Sequence, residues 1–243
     1  MKDEINPILQ FWEIKGGESG GPCATAGSDW RRVKVWSCEG CERGWQQEDL
    51  DTTYAVAEGK KAKIWPDFLL GFKLIISERV LEDLKANGIT GYIPHKVRMD
   101  RIDSPRLQKI PSPDYYLLEM TGHVEVDRQW FDEGEGFICP VCHIWTPKQG
   151  GKYGFGARML VPLMETWDGS DFLHIRQPFV GRYLCTRRVV ELARARKWFN
   201  ASISPITPRP FQVNLESDNW FAEIEEKARA EYPHFFTQPG NAS

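Results

Sequence analysis

Between Ile64 and Pro94 the apolar positions change their spacing twice. Leu74-Ile75-Ile76 is a short continuous apolar run, which reads as a strand buried on both faces. Ser77 follows at a helix N-cap position, where its hydroxyl is placed to accept from an orphan amide. Val80, Leu81 and Leu84 then recur at helical spacing, and Asn87-Gly88 supplies the stop. Ile89 to Ile93 resumes an extended run that Pro94 is expected to break. A second stretch echoes the first. Asp171-Phe172-Leu173 matches Asp67-Phe68-Leu69, Tyr183-Leu184-Cys185 takes the strand position, and Thr186-Arg187-Arg188-Val189 matches Ser77-Glu78-Arg79-Val80. Val189, Val190, Leu192 and Ala193 mark a helix that reaches Trp198. The pattern predicts two β–α units, at 64–98 and 165–200, with a longer internal link in the second.

Elsewhere, residues 1–15 carry Ile8, Leu9, Phe11, Trp12 and Ile14, enough for a strand or short helix. The glycine-rich stretch 16–28 reads as a mobile loop. Trp30 to Trp36 is strand-like, as are 115–120 and 123–127. Residues 101–114, rich in Pro, Asp and Ser, read as an exposed connection, and 203–214, with three prolines, as an extended surface crossing. A helix over 216–232 places Trp220, Phe221, Ile224 and Ala228 on one face, and the tail from Pro233 is expected to fray. These elements predict an α+β fold in a single domain, 1–243, with antiparallel strands, two β–α repeat units and the zinc-ribbon-like site of four cysteines described below.

Length and composition suit this reading. The chain has 243 residues, with ten tryptophans and thirteen phenylalanines to fill a core. Such a length needs no metal to rescue an undersized fold. A net charge of −3 builds no strong positive field, so nucleic-acid binding driven by bulk charge is not expected. The cluster Arg187, Arg188, Arg194, Arg196 and Lys197 reads as a solvated helix face. No apolar run approaches a membrane span, and the N-terminus lacks the apolar region of a secretory signal. The expected compartment is the cytoplasm, where thiols stay reduced and Cys-x-x-Cys pairs point to metal or redox chemistry.

Six cysteines are present: Cys23, Cys38, Cys41, Cys139, Cys142 and Cys185. A two-residue spacer lets one tight turn present both thiolates to a tetrahedral ion, so Cys38/Cys41 and Cys139/Cys142 predict one structural Zn2+ site. The knuckles would occupy 30–48 and 130–150, each led in by a strand. Residues 42–138 separate the pairs, which is tolerable because loop-closure cost grows only logarithmically. Four thiolates close the coordination sphere, so no catalysis is expected at the metal. A thioredoxin-like dithiol would leave the second pair unexplained. Cys185 reads as a small buried hydrophobe. His143 reads as a surface histidine, with a substitute ligand as its second reading, and Cys23 has no assigned part.

An enzyme reading starts from His123-Val124-Glu125 upstream of Cys139-Pro140-Val141-Cys142. Zinc deaminases carry His-x-Glu and then Pro-Cys-x-x-Cys, but here the proline follows the first cysteine and Cys38/Cys41 would be idle. His123 and Glu125 fit better on one solvated face of a strand. The nucleophile-elbow, phosphate-loop and His-Glu-x-x-His motifs are absent, and the glycine-rich run 150–156 reads as a turn.

Two separated Cys-x-x-Cys turns resemble the double-CxxCG motif proteins, a family that includes immunity proteins paired with swarming-inhibition toxins. The resemblance extends to Trp65-Pro66-Asp67-Phe68, Ile75-Ile76-Ser77-Glu78-Arg79-Val80 and Ala86-Asn87-Gly88-Ile89-Thr90-Gly91. It places the family's cysteines at Cys38, Cys41, Cys139 and Cys142, with Glu42 and His143 where the family has glycine. It implies a non-catalytic protein that binds and neutralises a toxin domain. Glu48-Asp49-Leu50-Asp51 and Asp132-Glu133-Gly134-Glu135 are acidic stretches suited to a basic partner. The alternative is a zinc-ribbon nucleic-acid-binding or regulatory protein using Trp30, Arg31, Arg32, Lys34 and Trp36.

Overall fold

The computed structural model describes residues 7–17, 23–27, 34–41, 44–47, 53–69, 74–126, 131–132, 136–141, 145–147, 156–157, 161–175, 183–206 and 217–233. A short helix α1 (Pro7–Gln10) leads into β1 (Phe11–Gly16), followed by β2 (Thr25–Gly27), β3 (Lys34–Ser37), β4 (Gly44–Gln47) and β5 (Thr53–Glu58). Then come β6 (Phe68–Leu69), β7 (Ile75–Ser77), α2 (Glu78–Ala86), β8 (Tyr92–Ile102), β9 (Tyr115–Met120) and β10 (Gly122–Val124). The second half adds β11 (Phe131–Asp132), β12 (Gly136–Ile138), β13 (Trp145–Pro147) and β14 (Gly156–Ala157). It closes with β15 (Phe172–Ile175), β16 (Tyr183–Thr186), α3 (Arg187–Arg196), β17 (Ala201–Pro205) and α4 (Trp220–Glu231).

The fold is mixed α+β, built on a six-stranded sheet β2-β5-β8-β9-β7-β6 and a five-stranded sheet β10-β15-β16-β1-β17. Both are largely antiparallel, and β5 pairs with β8 and β10 with β15 in parallel. One large apolar body takes Trp12 and Ile14 from β1, Phe68, Ile76 and Leu84 from the first β–α step, and Phe172, Cys185 and Val189 from the second. Trp220, Ile224 and Ala228 of α4 close it, with the Trp12 and Trp220 rings edge-on at 5.6 Å. The opposite face of the six-stranded sheet buries Leu69, Ile75, Leu107, Tyr115 and Leu117. That of the five-stranded sheet buries Phe11, Val124, Leu173 and Leu184. Coverage on both faces explains why the two β–α strands read as unbroken apolar runs and not as alternating ones.

Beneath each helix start lies a buried carboxylate. Asp67 Oδ1 accepts from the Ser77 hydroxyl at 2.9 Å and from Arg79 Nε at 3.0 Å, and its Oδ2 accepts from the Phe199 amide at 2.7 Å. Asp171 Oδ1 accepts from the Thr186 hydroxyl at 3.0 Å, and its Oδ2 from Arg188 Nη1 at 3.0 Å and the Thr90 amide at 3.1 Å. Ser77 and Thr186 do occupy N-cap positions, but neither makes a side-chain cap bond. Each hydroxyl donates to its aspartate instead, because an unpartnered buried carboxylate costs more than an open helix amide. The arginines then reach across: Arg79 Nη1 donates to Arg196 O at the end of α3, and Arg188 donates to Asn87 O and Gly88 O at the end of α2. A guanidinium at a helix C-terminus satisfies spare carbonyls and complements the dipole.

Two stretches behave differently from their composition. β8 runs through Pro94. Opposite it, Leu118 spends its amide on Leu74 O of the segment entering β7, so the Pro94–Leu118 pair is not a hydrogen-bonded one and the proline nitrogen faces away from β9. In the 101–114 connection Leu107 is fully buried and Ser104 links Ala62 O to the Leu107 amide, so that segment is anchored as well as exposed. Among the described residues no helix is long and apolar enough to cross a membrane.

Removing either carboxylate strands an arginine, a hydroxyl and an amide together. Asp67→Ala and Asp171→Ala should each lower unfolding free energy by about 2–4 kcal/mol, read by urea denaturation. A loss under about 1 kcal/mol, the size of one ordinary hydrogen bond, would show that these carboxylates do not organise the core.

Candidate metal centre

Two hairpins carry the cysteine turns. β3 pairs antiparallel with β4, from Lys34↔Gln47 to Ser37↔Gly44, and the turn between them opens on Cys38. β12 pairs antiparallel with β13, from Gly136↔Pro147 to Ile138↔Trp145, and that turn opens on Cys139. In each case the strand ends at the residue before the cysteine, so the ladder itself aims the first thiol of the pair.

The hairpins meet tip to tip. Cys38 Sγ lies 3.8 Å from Cys139 Sγ, and both residues are buried. Cys41 joins them, with the three sulfurs all within 4.8 Å of one another. A tetrahedral zinc–thiolate site with bonds of about 2.3 Å requires neighbouring sulfurs about 3.8 Å apart. A disulfide needs about 2.05 Å, and Cys38, Cys41 and Cys139 are unbridged. The donor set fits a soft or borderline metal held by thiolate.

Backbone geometry supports the same reading. The Gly40 amide donates to Cys38 Sγ at 3.4 Å, and the Val141 amide donates to Cys139 Sγ at 3.4 Å. In both turns the amide two residues on points back at the first sulfur, where it stabilises thiolate charge and orients the ligand. The turns also press on each other: a Cβ built on Gly40 would lie 2.6 Å from Val141 Cγ2 and 3.0 Å from Cys139 Sγ. Glycine at position 40 is therefore needed for the approach of the second knuckle. The thiols were plain in the sequence and this contact was not, although a Gly inside Cys-x-x-Cys was a visible cue.

Cys142 and His143 lie outside the described residues, as do Trp30, Arg31, Arg32, Glu48, Asp49, Leu50, Asp51 and residues 133–135. Lys34 and Trp36 lie on β3, and Asp132 on β11. Cys185 is fully buried and its thiol is pushed up by desolvation, then by the neighbouring Asp171 charge, as befits a core residue. Cys23 is half-buried, bridges to Ile64, and is also pushed up by burial. Among the described residues the one group able to hold a metal is Cys38, Cys41 and Cys139. His123 instead sits on β10 with Nδ1 3.2 Å from Asp168, and it is not part of the described thiol group. Asp168 is held below the usual carboxylate range: burial pushes it up, but the Ser170 and His123 hydrogen bonds outweigh that.

Gly40→Ala should weaken metal binding by about tenfold, comparable to loss of an outer-sphere partner, and Val141→Ala in the same chain should restore part of it by removing the closest contact, at 2.6 Å. Competition against a chromophoric chelator measures both. No family model matches the chain, and no curated protein matches it either.

Proposed function

We propose that the chain is a non-catalytic, zinc-stabilised binding protein of the cytoplasm whose task is to bind and neutralise a toxin domain. The observation that carries the zinc reading is the 3.8 Å approach of Cys38 Sγ to Cys139 Sγ, from turns on opposite sides of a long insertion. A bound ion gives buried sulfurs from two hairpins a common reason to converge at tetrahedral spacing. On this reading Cys142 supplies the fourth thiolate, and the paired hairpins form a zinc ribbon. Cys38, Cys41, Cys139 and Cys142 would bind and orient the ion, and the ion in turn would pin 30–48 against 130–150. A closed set of four thiolates leaves no position for water or substrate, which favours a structural over a catalytic role.

The two β–α units are taken as copies of one motif, supported by their matching aspartate, hydroxyl and arginine bonds. The immunity role draws on the resemblance to double-CxxCG proteins. The partner would be a toxin domain, one with a basic surface if the acidic stretches at 48–51 and 132–135 meet it.

Untagged protein purified under reducing conditions should carry one zinc per chain by elemental analysis, and Cys38→Ser or Cys139→Ser should abolish it. Chains free of metal under those conditions would remove the basis of the zinc reading. Pull-down from the native host followed by a growth assay tests the partner: co-purification of a toxic domain whose effect the chain suppresses is the expected result. Steeply salt-sensitive binding to nucleic acid with no protein captured would favour the alternative instead.

A further inference from the structure

The paired bonds around Asp67 and Asp171 belong to a correspondence that runs through most of the chain. β9 lies against β7 and β8 with Tyr115↔Ser77, Tyr116↔Ile76, Glu119↔Ile93 and Met120↔Tyr92. β1 lies against β16 and β17 with Phe11↔Thr186, Trp12↔Cys185, Lys15↔Ser202 and Gly16↔Ala201. Every pair in the first set maps onto one in the second by the same two shifts in numbering, one for β9 onto β1 and one for β7–β8 onto β16–β17. The next bond obeys the same rule: the Thr121 amide donates to Gly91 O, and the Gly17 amide to Asn200 O. So does the backbone: Gly88 and Gly91 have φ of 60° and 89°, and their counterparts Lys197 and Asn200 have 50° and 65°. Those two are the non-glycine residues with positive φ among the described ones. Left-handed backbone at a lysine is unusual, and here it falls where the other half has glycine.

The cysteine turns correspond as well, although their shifts in numbering differ by a few residues from those two. Ala26 pairs antiparallel with Ala57 on either side of the first hairpin, and Val126 with Pro162 on either side of the second. Within the hairpins, Cys38 and Gly40 correspond to Cys139 and Val141, down to the amide–sulfur bond.

We infer that residues 11–102 and 115–206 are two copies of one unit related by a two-fold axis, that each copy lends its first strand to the other's sheet, and that the metal sits on the axis with one Cys-x-x-Cys from each copy. Contacts that reciprocate are the mark of a two-fold interface: residue i meets j and the partner's j meets i. The aspartates show it directly. Asp67 of the first copy takes the Phe199 amide of the second, and Asp171 of the second takes the Thr90 amide of the first. The strands show it again, since β1 completes the sheet of β15–β17 and β9 that of β6–β8. The chain is thus a fused, strand-exchanged dimer. Neither copy holds more than half a ligand set, and the relation that carries Cys38 to Cys139 carries Cys41 to Cys142. The position of the metal rests on the zinc reading above; the duplication does not.

Two arms separate these parts. In the first, the full chain is circularly permuted. The connection 103–114 joins the two copies, and the corresponding place in the second copy follows β17. New ends between Pro111 and Ser112, with the old ends joined by a long Gly/Ser linker, fall between copies. New ends between Asn87 and Gly88 fall inside one. The first permutant should keep the parent's thermal midpoint and near-ultraviolet spectrum, and the second should lose both. Equal behaviour, or the reverse order, overturns the duplication whatever the metal does. In the second arm the reduced parent is loaded with Co2+, and Cys41→Ser is compared with Cys142→Ser. Both should show the same shift from a four-sulfur to a three-sulfur spectrum and a loss of affinity of about 100-fold or more, at least that of an outer-sphere ligand partner. Unequal effects of the two serines remove the metal from the axis. A parent that takes up no Co2+ ends the zinc reading and its placement on the axis, and leaves the duplication to the permutants.

Discussion

A carboxylate taken out of water must recover nearly all of its hydration from protein donors. Asp67 and Asp171 meet that demand in the same way, with a hydroxyl and a guanidinium from their own strand–helix step and a main-chain amide from the other. The last donor is what ties the halves of the molecule together. Because an amide cannot move without moving its strand, satisfying each charge fixes where β8 and β17 begin relative to the opposite sheet. The arginines extend the constraint to the ends of both helices. The large shared core then fills around a geometry already set by polar contacts, and directional bonds give it a register that apolar packing alone would not specify.

The thiol cluster works by a different principle. Val141, in the second turn, is 60% exposed. The two turns meet through sulfur spacing, two amide–sulfur bonds and the glycine that admits the neighbouring turn. Division of labour follows: the aspartate exchange holds the body, while the proposed ion organises the two turns and the surface around them. Such a surface can diverge in sequence to suit a partner without disturbing the core beneath it.

Much of this was legible in the chain. Helix α2 followed from Val80, Leu81 and Leu84, and α4 from Trp220, Ile224 and Ala228, since helical spacing is a local property. The convergence of Cys38, Cys41 and Cys139 followed from the chemistry of thiol pairs. The hydroxyls of Ser77 and Thr186 were assigned to capping because sequence shows the cap position but not the buried acid that competes for it. An Asp ahead of Ser/Thr-x-Arg in both stretches was the available signal. The parallel pairings β5–β8 and β10–β15 had no local signature at all, and Pro94 looked like a strand end because its unpaired side is fixed only by Leu118 on another strand. The placement of β1 was equally hidden, for its neighbours lie at the other end of the chain.

That placement bears on biogenesis. Phe11, Trp12 and Ile14 leave the ribosome well before the strands that shelter them, β16 and β17, which are made much later. A central strand with such distant partners raises contact order and delays closure of the second sheet. Until then a ribosome-bound chain carries an unsatisfied apolar strand far ahead of its partners, the kind of segment that chaperones hold and that pairs with the wrong neighbour when they do not. Yield in a crowded cell would thus depend on how long this early strand must wait as much as on the finished fold's stability.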